Sequence, residues 1–289
     1  MRHPRGRRVR RLPWVALAVV VLLAIDLGAG AQPGHADEPA AAPTDLLQAI
    51  PGGHFVMGDA AGEANEAPSD VQVAPFRIMR LEVTNQQWAA FIAESGHVTD
   101  PEKAGFGWVW DGQWRRVQRA TWQRPAGGED ARPLEPDHPV VQVSAEDAAA
   151  FCAFYGLRLP SEAEWEFAAR GTDDRRYPWG SEPPRQSAPF RANFGTIGCC
   201  APDASDGFLH TAPVGSFPAG RSPFGLDDMA GNVWEWTSSP FPGRPDQVAL
   251  RGGGWGNNPY CLRAAYRHNN PPDIGLNMVG FRCAADAAK

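Results

Sequence analysis

The sequence predicts an α+β fold whose second half is rich in loops, and three observations predict it. Apolar residues recur at helical spacing only in the first half of the folded part, and short strand-like segments occur in both halves. Glycine and proline are abundant, with 31 Gly and 28 Pro in 289 residues. Because Gly and Pro interrupt regular elements, the second half should consist of short strands, turns and loops. The sequence shows neither an internal repeat nor a second linker, which indicates one folded domain.

The N-terminal segment has the features of an export signal. Residues 1–13 are rich in arginine, residues 14–25 form an apolar run that is short for a membrane span, and residues 29–31 (AGA) offer a cleavage site. We therefore predict a signal peptide at residues 1–31, with membrane contact only transiently through it; an uncleaved anchor is the alternative. The paired arginines leave both the general secretory route and the twin-arginine route open.

Composition bounds the compartment and the partners. Residues 32–45 have the composition of a disordered linker. The folded domain is therefore expected at residues 46–289, in a periplasmic or secreted and thus oxidising location. The net charge is −6, and the body of the chain has no Lys/Arg stripe. Nucleic acid is accordingly not an expected partner.

The elements of the first part follow from periodicity and capping signals. Residues 49–59 (AIPGGHFVMGD) predict a strand that enters a glycine turn. Residues 76–95 predict a strand followed by a helix, which Thr84 is placed to cap. Residues 99–137 spread several tryptophans among Gly, Pro and charged residues, and we expect a loop there. Tryptophans in such a loop are candidates for lining a groove.

Two further helices carry clear start and stop signals. Residues 144–156 (SAEDAAAFCAFYG) and 161–171 (SEAEWEFAARG) each begin with Ser, place an acidic residue three positions later, and end at Gly. After Gly171 the sequence shows almost no helical periodicity. Loops of this extent need bound cations or disulfides to order them, and the chain has candidates for both.

Several sequence blocks occur in a fixed order. They are residues 136–171 (beginning PDHPVVQVS), 177–180 (YPWG), 206–239 (ending AGNVWEWTSS) and 251–284 (beginning RGGGWGNN). Together with IPGGHFVMGD and EVTNQQWAAF, they resemble the sulfatase-modifying-factor family over residues 49–285. The namesake of this family is the formylglycine-generating enzyme, an oxidoreductase that modifies a cysteine of sulfatases. The resemblance implies a loop-rich C-type-lectin-like fold with bound calcium, but it does not fix the reaction, because the family hosts several.

Cys261 is the candidate catalytic residue. The formylglycine-generating enzyme holds Cu(I) between two cysteines of its last block, and two soft thiolates suit that ion. Matching the flanking motifs puts these cysteines near Asn257 and Pro259, so the resemblance implies that the two-thiolate site is missing. Sliding the gap brings Cys261 onto the second position and leaves no cysteine at the first. Otherwise Cys261 is a small buried hydrophobe or a half-cystine.

The resemblance also bears on the other cysteines. It implies a disulfide between Cys152 and Cys283, whereas the positions of a second family disulfide, Ala169 and Ala264, are both alanine.

Cys199 and Cys200 are adjacent, and their pairing stays open. A vicinal disulfide, a two-thiol metal clip and a bond from one of them to Cys261 are the alternatives. Copper is not supported as a cofactor without the two thiolates. Iron is not supported either, because the seven histidines show no ligand spacing and the three-His site of some relatives uses an additional helical domain.

Calcium is the better-supported metal. The resemblance implies one site with Asn193 and Asp206 as side-chain ligands and Phe194 and Phe208 as carbonyl donors. It implies a second site with Asn232 as a side-chain ligand. Hard oxygen donors of this kind suit Ca²⁺. The alternative is ordinary Asn and Asp turn chemistry without a metal.

Two functions remain open at this point. In the first, the exported protein carries out an oxidative modification during the maturation of a client protein, a peptide or a small metabolite. In the second, it is a non-catalytic, calcium-stabilised binding module for a protein or a glycan. The resemblance implies that a substrate groove would be lined by residues of the last block: Trp255, Asn257, Asn258, Arg263, Arg267, His268 and Asp273.

Overall fold

The computed structural model of the chain describes residues 41–128, 134–185, 187–196 and 200–287. The predicted signal peptide, most of the predicted linker and Cys199 lie outside these ranges. Within them, no helix combines the length and the apolar character that crossing a membrane requires.

The architecture is α+β, as the sequence predicts. The helices stand in the first half, and after Arg170 the described residues contain strands, turns and loops but no α-helix. In chain order the elements are β1 (Leu47–Ile50), β2 (Gly53–Met57), β3 (Ser69–Val73), β4 (Phe76–Met79), α1 (Asn85–Ser95), α2 (Asp100–Ala104), β5 (Phe106–Trp110), β6 (Trp114–Gln118), α3 (Ala145–Phe154), α4 (Glu162–Arg170), β7 (Trp234–Phe241), β8 (Arg244–Arg251), β9 (His268–Asn270), β10 (Val279–Gly280) and β11 (Ala284–Asp286).

The strands form small sheets rather than one large one. An antiparallel sheet has the order β1-β4-β11, so the last strand pairs with a strand near the start of the domain. A second sheet has the order β10-β7-β8-β9, in which β7 and β8 form a hairpin and β10 runs parallel to β7. Two separate hairpins, β2-β3 and β5-β6, complete the set. Short strands of this kind follow from the high Gly and Pro content.

The predicted helix caps are confirmed. The hydroxyls of Thr84, Ser144 and Ser161 each accept a hydrogen bond from the amide three residues later, and each helix has the complete capping box. A cap of this type stabilises a helix by about 1 kcal/mol. Gly171 terminates α4 with a φ of 72°, a conformation that glycine adopts without strain.

The loop expected at residues 99–137 is partly regular, and that expectation is wrong for residues 100–118. Thr99 caps the short helix α2, and β5 pairs with β6 around a turn at Asp111-Gly112. Gly112 has a φ of +98°, which explains the glycine at the turn. Trp108 and Trp110 alternate along β5, and Trp110 packs against Trp114, which lies opposite it on β6.

Residues just before the predicted domain start already belong to the fold. Pro43–Leu46 form a 3-10 turn, and Pro43 is buried. Arg80 N donates to Leu46 O, and Gln87 Nε2 donates to Ala41 O. The boundary between linker and domain therefore lies at least a few residues earlier than residue 46.

A disulfide joins Cys152 of α3 to Cys283, immediately before β11. Both cysteines are buried in the larger apolar cluster, beside the stacked rings of Trp88 and Phe151 and the edge of Phe281. The bond spans 131 residues of sequence, and chain entropy gives about 4–5 kcal/mol as an upper figure for its stabilisation. The pairing that the resemblance implies is thus present in the structure. It ties the helical half to the C-terminal strand.

Candidate functional site

The glycine-rich segment at residues 251–257 places Trp255 at the back of a pocket. A side chain at Gly254 would begin 2.5 Å from Met278 Cγ, so only glycine fits at that approach. Asn257 Oδ1 accepts from Gly254 N at 2.9 Å and closes the turn. Trp255 is only 1% exposed, and its ring meets the edge of the His210 ring at a centroid distance of 4.7 Å.

The pocket has a volume of about 830 Å³, which is in the range of small-molecule sites. Its wall is built by the start of α1, the residues after β6, the segment around the PDHPV motif, the loop at residues 207–213, and Trp255 and Asn277 of the last block. The lining residues that matter below are Asn85, Arg124, Glu135, Asp137, His138, Phe208, His210, Thr211 and Trp255.

A hydrogen-bonded relay crosses the pocket wall. Glu135 Oε2 lies 2.5 Å from His138 Nε2, and Thr211 Oγ1 lies 2.9 Å from His138 Nδ1. Burial lowers the pKa of His138, against the opposing charges of Glu135 and Asp137. A neutral ring satisfies both contacts when Nε2–H donates to Glu135 and Nδ1 accepts from the Thr211 hydroxyl. The imidazole is then placed to take a proton from Thr211 or from a ligand at the same position.

Most of the groove residues expected from the last block lie outside this pocket. Of the seven, Trp255 alone is among the lining residues. Asn257 is buried in the turn, Asn258 Oδ1 accepts from Tyr260 N at 2.9 Å, and Asp273 is exposed. His268 begins β9, and its ring lies 5.2 Å from that of Trp234.

The two arginines of the expected groove are buried in ion pairs. Arg263 holds Glu66 with two hydrogen bonds of 2.7 and 2.8 Å and contacts Asp59 at 3.1 Å. Arg267 Nε donates to Glu162 Oε1 at 2.7 Å, and its Nη1 donates to Asn65 O. These contacts attach the last block to the N-terminal hairpin and to α4. Both guanidinium groups are therefore used in holding the fold together.

Cys261 and Cys200 are both buried in the larger apolar cluster. Cys200 Sγ lies 3.9 Å from Asn257 Nδ2, and Cys261 lies beside Tyr266. Burial raises the pKa of Tyr266, and the neighbouring Cys261 raises it further. Because Cys199 lies outside the described ranges, the pairing of these cysteines stays a matter for experiment. Asn257 beside Cys200 offers an amide and not a thiolate.

Two of the predicted calcium ligands, Asn193 and Asn232, are neighbours, although the resemblance assigns them to different sites. Asn193 Nδ2 is 3.4 Å from Asn232 Oδ1, and Asn232 N donates to Asn193 O. Asn193 Oδ1 is buried and has no hydrogen-bond partner among the described residues, which fits a cation ligand. Both ends of the Asn232 amide are engaged, because Oδ1 accepts from Ala212 N and Nδ2 donates to Glu82. The calcium role of Asn232 stays a prediction.

Of the other predicted ligands, Phe208 alone is among the residues described as lining the pocket. Asp206 Oδ1 accepts from Phe208 N at 2.9 Å in an Asx turn, and burial raises the pKa of Asp206. Phe194 is buried, whereas Phe208 lines the pocket. Within the described ranges, no three His, Cys, Asp or Glu side chains come together as metal ligands. A calcium ion here would depend on amide and carbonyl oxygens, with Asp206 as its carboxylate.

Sequence reasoning missed a buried acidic cluster beside Asn232. Glu82, Asp228 and Glu235 are buried around Arg282, whose guanidinium binds both oxygens of Glu235 at 2.7 Å. Burial and the neighbouring carboxylates raise the pKa of Glu82, and burial raises the pKa of Asp228 to about 6. These residues come from three distant parts of the sequence, so their spacing along the chain does not predict that they meet. His138 belongs to the PDHPV motif, but only the folded structure shows its contacts with Glu135 and Thr211.

Comparison with known proteins identifies the family. The family model for the sulfatase-modifying factor enzyme 1-like domain matches residues 34–287. The chain belongs to this family. A mouse relative, inactive C-alpha-formylglycine-generating enzyme 2, is 36% identical over 89% of this chain and 89% of its own length. The formylglycine-generating enzyme of Streptomyces coelicolor is 39% identical over 90% of this chain and 94% of its own.

A solved structure agrees with the family assignment. PvdO from Pseudomonas aeruginosa superposes with a TM-score of 0.64 at 28% identity, covering 83% of this chain and 94% of that chain. The fold is therefore the loop-rich fold of the formylglycine-generating-enzyme family, to which the C-type-lectin-like description corresponds. Because this family includes relatives named as active and as inactive enzymes, membership alone does not assign a reaction.

Proposed function

We propose that this protein is an exported family member that uses an external two-electron oxidant such as dioxygen to modify a client peptide, protein segment or small metabolite within the pocket. The observation that carries the proposal is the pocket itself. Trp255 of the last block forms its wall together with the Glu135–His138–Thr211 relay. A wall that includes a neutral, partnered imidazole offers a proton acceptor at a site large enough for a side chain or a small molecule.

Formylglycine synthesis is not the proposed reaction. Asn257 occupies the position that the resemblance gives to the first copper cysteine, and Gly254 stands where the family has a serine. We expect no conversion of a sulfatase-type cysteine peptide incubated with the protein and Cu(I), as followed by peptide mass. A mass loss matching the aldehyde, abolished by Cys261→Ser, would show that a thiol site exists after all.

The oxidative role is tested by comparing secreted fractions. Cells producing the wild type or His138→Gln are analysed by untargeted mass spectrometry, with His54→Gln as a matched control on the exposed hairpin strand β2. The proposal expects a species changed by one oxygen atom or by two hydrogens in the wild type and the control, and its loss in His138→Gln. Identical profiles in all three would remove the proposal.

A binding module is the second candidate, and one observation favours it. The mouse relative, which this chain matches over 89% of the relative's length, is named as inactive. In this role the calcium-stabilised loops would bind a client protein or a glycan. Elemental analysis separates the two: stoichiometric copper or iron in the purified protein supports the enzyme, and calcium alone supports the binding module.

Calcium and the compartment belong to the same proposal. The unpartnered Asn193 Oδ1 and the partly buried Asp206 carboxylate support a structural calcium ion in the loop after Arg191. The Cys152–Cys283 disulfide supports a periplasmic or secreted location, because oxidising compartments maintain such bonds. Fractionation of the producing cells, followed by detection of the mature protein, tests the location.

A further inference from the structure

The pocket contains a buried acceptor that the described chain leaves unsatisfied. Asn85 is 5% exposed and lines the pocket. Its Nδ2 donates to Glu135 O at 2.9 Å, whereas its Oδ1 has no hydrogen-bond partner. A buried acceptor without a donor costs about 1–3 kcal/mol. A ligand with an N–H donor at this position would recover part of that cost.

The charges on the wall are predominantly negative. Glu135 and Asp137 carry carboxylates, and Arg124 is the cation among the described lining residues. The Arg124 guanidinium contacts Gly128 O at 3.4 Å. Burial lowers the pKa of His138, so its ring is neutral near pH 7 and does not cancel the charge of Glu135. The described wall therefore has one net negative charge.

The N-terminus of α1 does not reverse this preference. Free amides at a helix start favour anions. Here the Asn85 amide donates to His138 O, the Gln86 amide donates to Pro136 O, and the Gln87 amide donates to Thr84 Oγ1. The chain itself therefore occupies these three amides. The carboxylates and the amide oxygen on the wall then determine that the pocket prefers a positively charged ligand.

Aromatic groups supply the remaining part of a cation site. Trp255, Phe208 and His210 line the same pocket, and His210 meets Trp255 edge to face. Aromatic rings beside carboxylates attract organic cations through the charge distribution of the ring. Such rings also give an apolar surface against which the body of a ligand can pack.

We propose that this pocket binds a small organic amine, with its ammonium group held by Glu135, Asp137 and Asn85 Oδ1 and its body packed on the accessible rings of Phe208 and His210. This inference rests on the proposed function only in using the same pocket. It names the substrate class as amine-bearing, and it is tested by binding alone. Amine binding without any mass change in the secreted fraction would keep this inference and remove the oxidative role.

The test compares three probes of one shape. 2-Phenylethylammonium, neutral 2-phenylethanol and anionic 3-phenylpropionate are titrated into the full chain by calorimetry at pH 7. The expected order of affinity is ammonium first, alcohol second and carboxylate last, with the ammonium at least about fivefold tighter than the alcohol, or about 1 kcal/mol. Equal affinities, a tighter carboxylate, or no binding of the ammonium would overturn the inference.

Variants then assign the effect to the wall. Glu135→Gln with Asp137→Asn should weaken ammonium binding at least about fivefold and change alcohol binding less than twofold, because only the cation contacts are removed. Asn85→Ala should weaken the binding of both the ammonium and the alcohol, because each can donate a hydrogen bond to Asn85 Oδ1. Glu94→Gln, an exposed change on α1, should leave all three affinities unchanged. A double variant that binds the ammonium as tightly as the control would overturn the inference, provided that its thermal melt matches the wild type.

Discussion

The buried ion-pair region and the pocket use the same kinds of side chain in opposite ways. Arg251, Arg263 and Arg282 are fully buried, and each binds a buried carboxylate with further hydrogen bonds to backbone carbonyls or neighbouring acids. In the pocket, by contrast, Asn85 Oδ1 is unpartnered and Glu135 is mostly exposed. The buried ion pairs hold the fold, whereas the pocket wall keeps one unpartnered amide oxygen and one exposed carboxylate.

This difference explains the positions of two arginines of the last sequence block. Arg263 and Arg267 were expected to line a substrate groove, and the structure places them in ion pairs with Glu66 and Glu162. Burying a guanidinium without a partner would cost several kcal/mol, so each such arginine in the interior has a carboxylate partner. The residues that face the pocket come mainly from other blocks.

The largest expected effect is the loss of Arg282. Arg282→Ala leaves Glu235, Glu82 and Asp228 buried without their cation, and the free energy of unfolding should fall by about 3–5 kcal/mol. Arg115→Ala, at the exposed pair with Asp111, should cost less than about 1 kcal/mol. Urea denaturation measures both. Equal losses in the two variants would mean that burial does not distinguish these regions.

The disulfide comes next in magnitude. Replacing both Cys152 and Cys283 by alanine should lower the free energy of unfolding by about 2–4 kcal/mol, since the bond closes a long loop of the unfolded chain. Urea melts measure the loss, and non-reducing peptide mapping checks the pairing. Recovery of either cysteine as a free thiol, or joined to Cys199, Cys200 or Cys261, would contradict the assignment.

Removal of calcium should lower the stability of the protein by an intermediate amount and should loosen the loop that lines the pocket. If an ion at Asn193 and Asp206 orders residues 206–208, EDTA should lower the melting temperature. A site loaded to about 100 times its dissociation constant contributes about 2.7 kcal/mol. Asp206→Ala should reproduce the loss without EDTA, and Asp246→Ala on β8 should not. An unchanged melt together with no calcium by elemental analysis would remove the ion.

The smallest effect concerns the proton on His138. Burial lowers its pKa, and Glu135 and Asp137 oppose that shift. Because the folded pKa lies below the unfolded value, the related stability is present above the unfolded pKa and is lost as pH falls through the folded pKa. NMR titration should show Glu135→Gln lowering the pKa of His138 further, while Glu94→Gln leaves it unchanged. An unchanged pKa of His138 in Glu135→Gln would show that the two groups are not in contact in solution.

Much of the fold could be predicted because its signals are local. The helix starts are predicted by a capping residue and a partner three positions later. All three predicted caps, at Thr84, Ser144 and Ser161, are present. The β5-β6 hairpin was missed although Asp111-Gly112 is a hairpin turn signal, because tryptophans dispersed among charges resemble a loop. The disulfide was expected from the family resemblance, which supplies long-range information that spacing within one chain does not contain.

The sequence by itself determined the α+β class, the helix starts and the family, since each depends on residues near one another or on ordered motifs. Only the tertiary structure decided which polar groups are satisfied. Glu135, His138 and Thr211 form one relay, yet Thr211 lies 73 residues from His138 in the chain. Arg263 and Glu66 lie 197 residues apart. Whether a charged side chain holds the fold or faces a ligand depends on burial and on partners brought from elsewhere, and these exist only once the chain is folded.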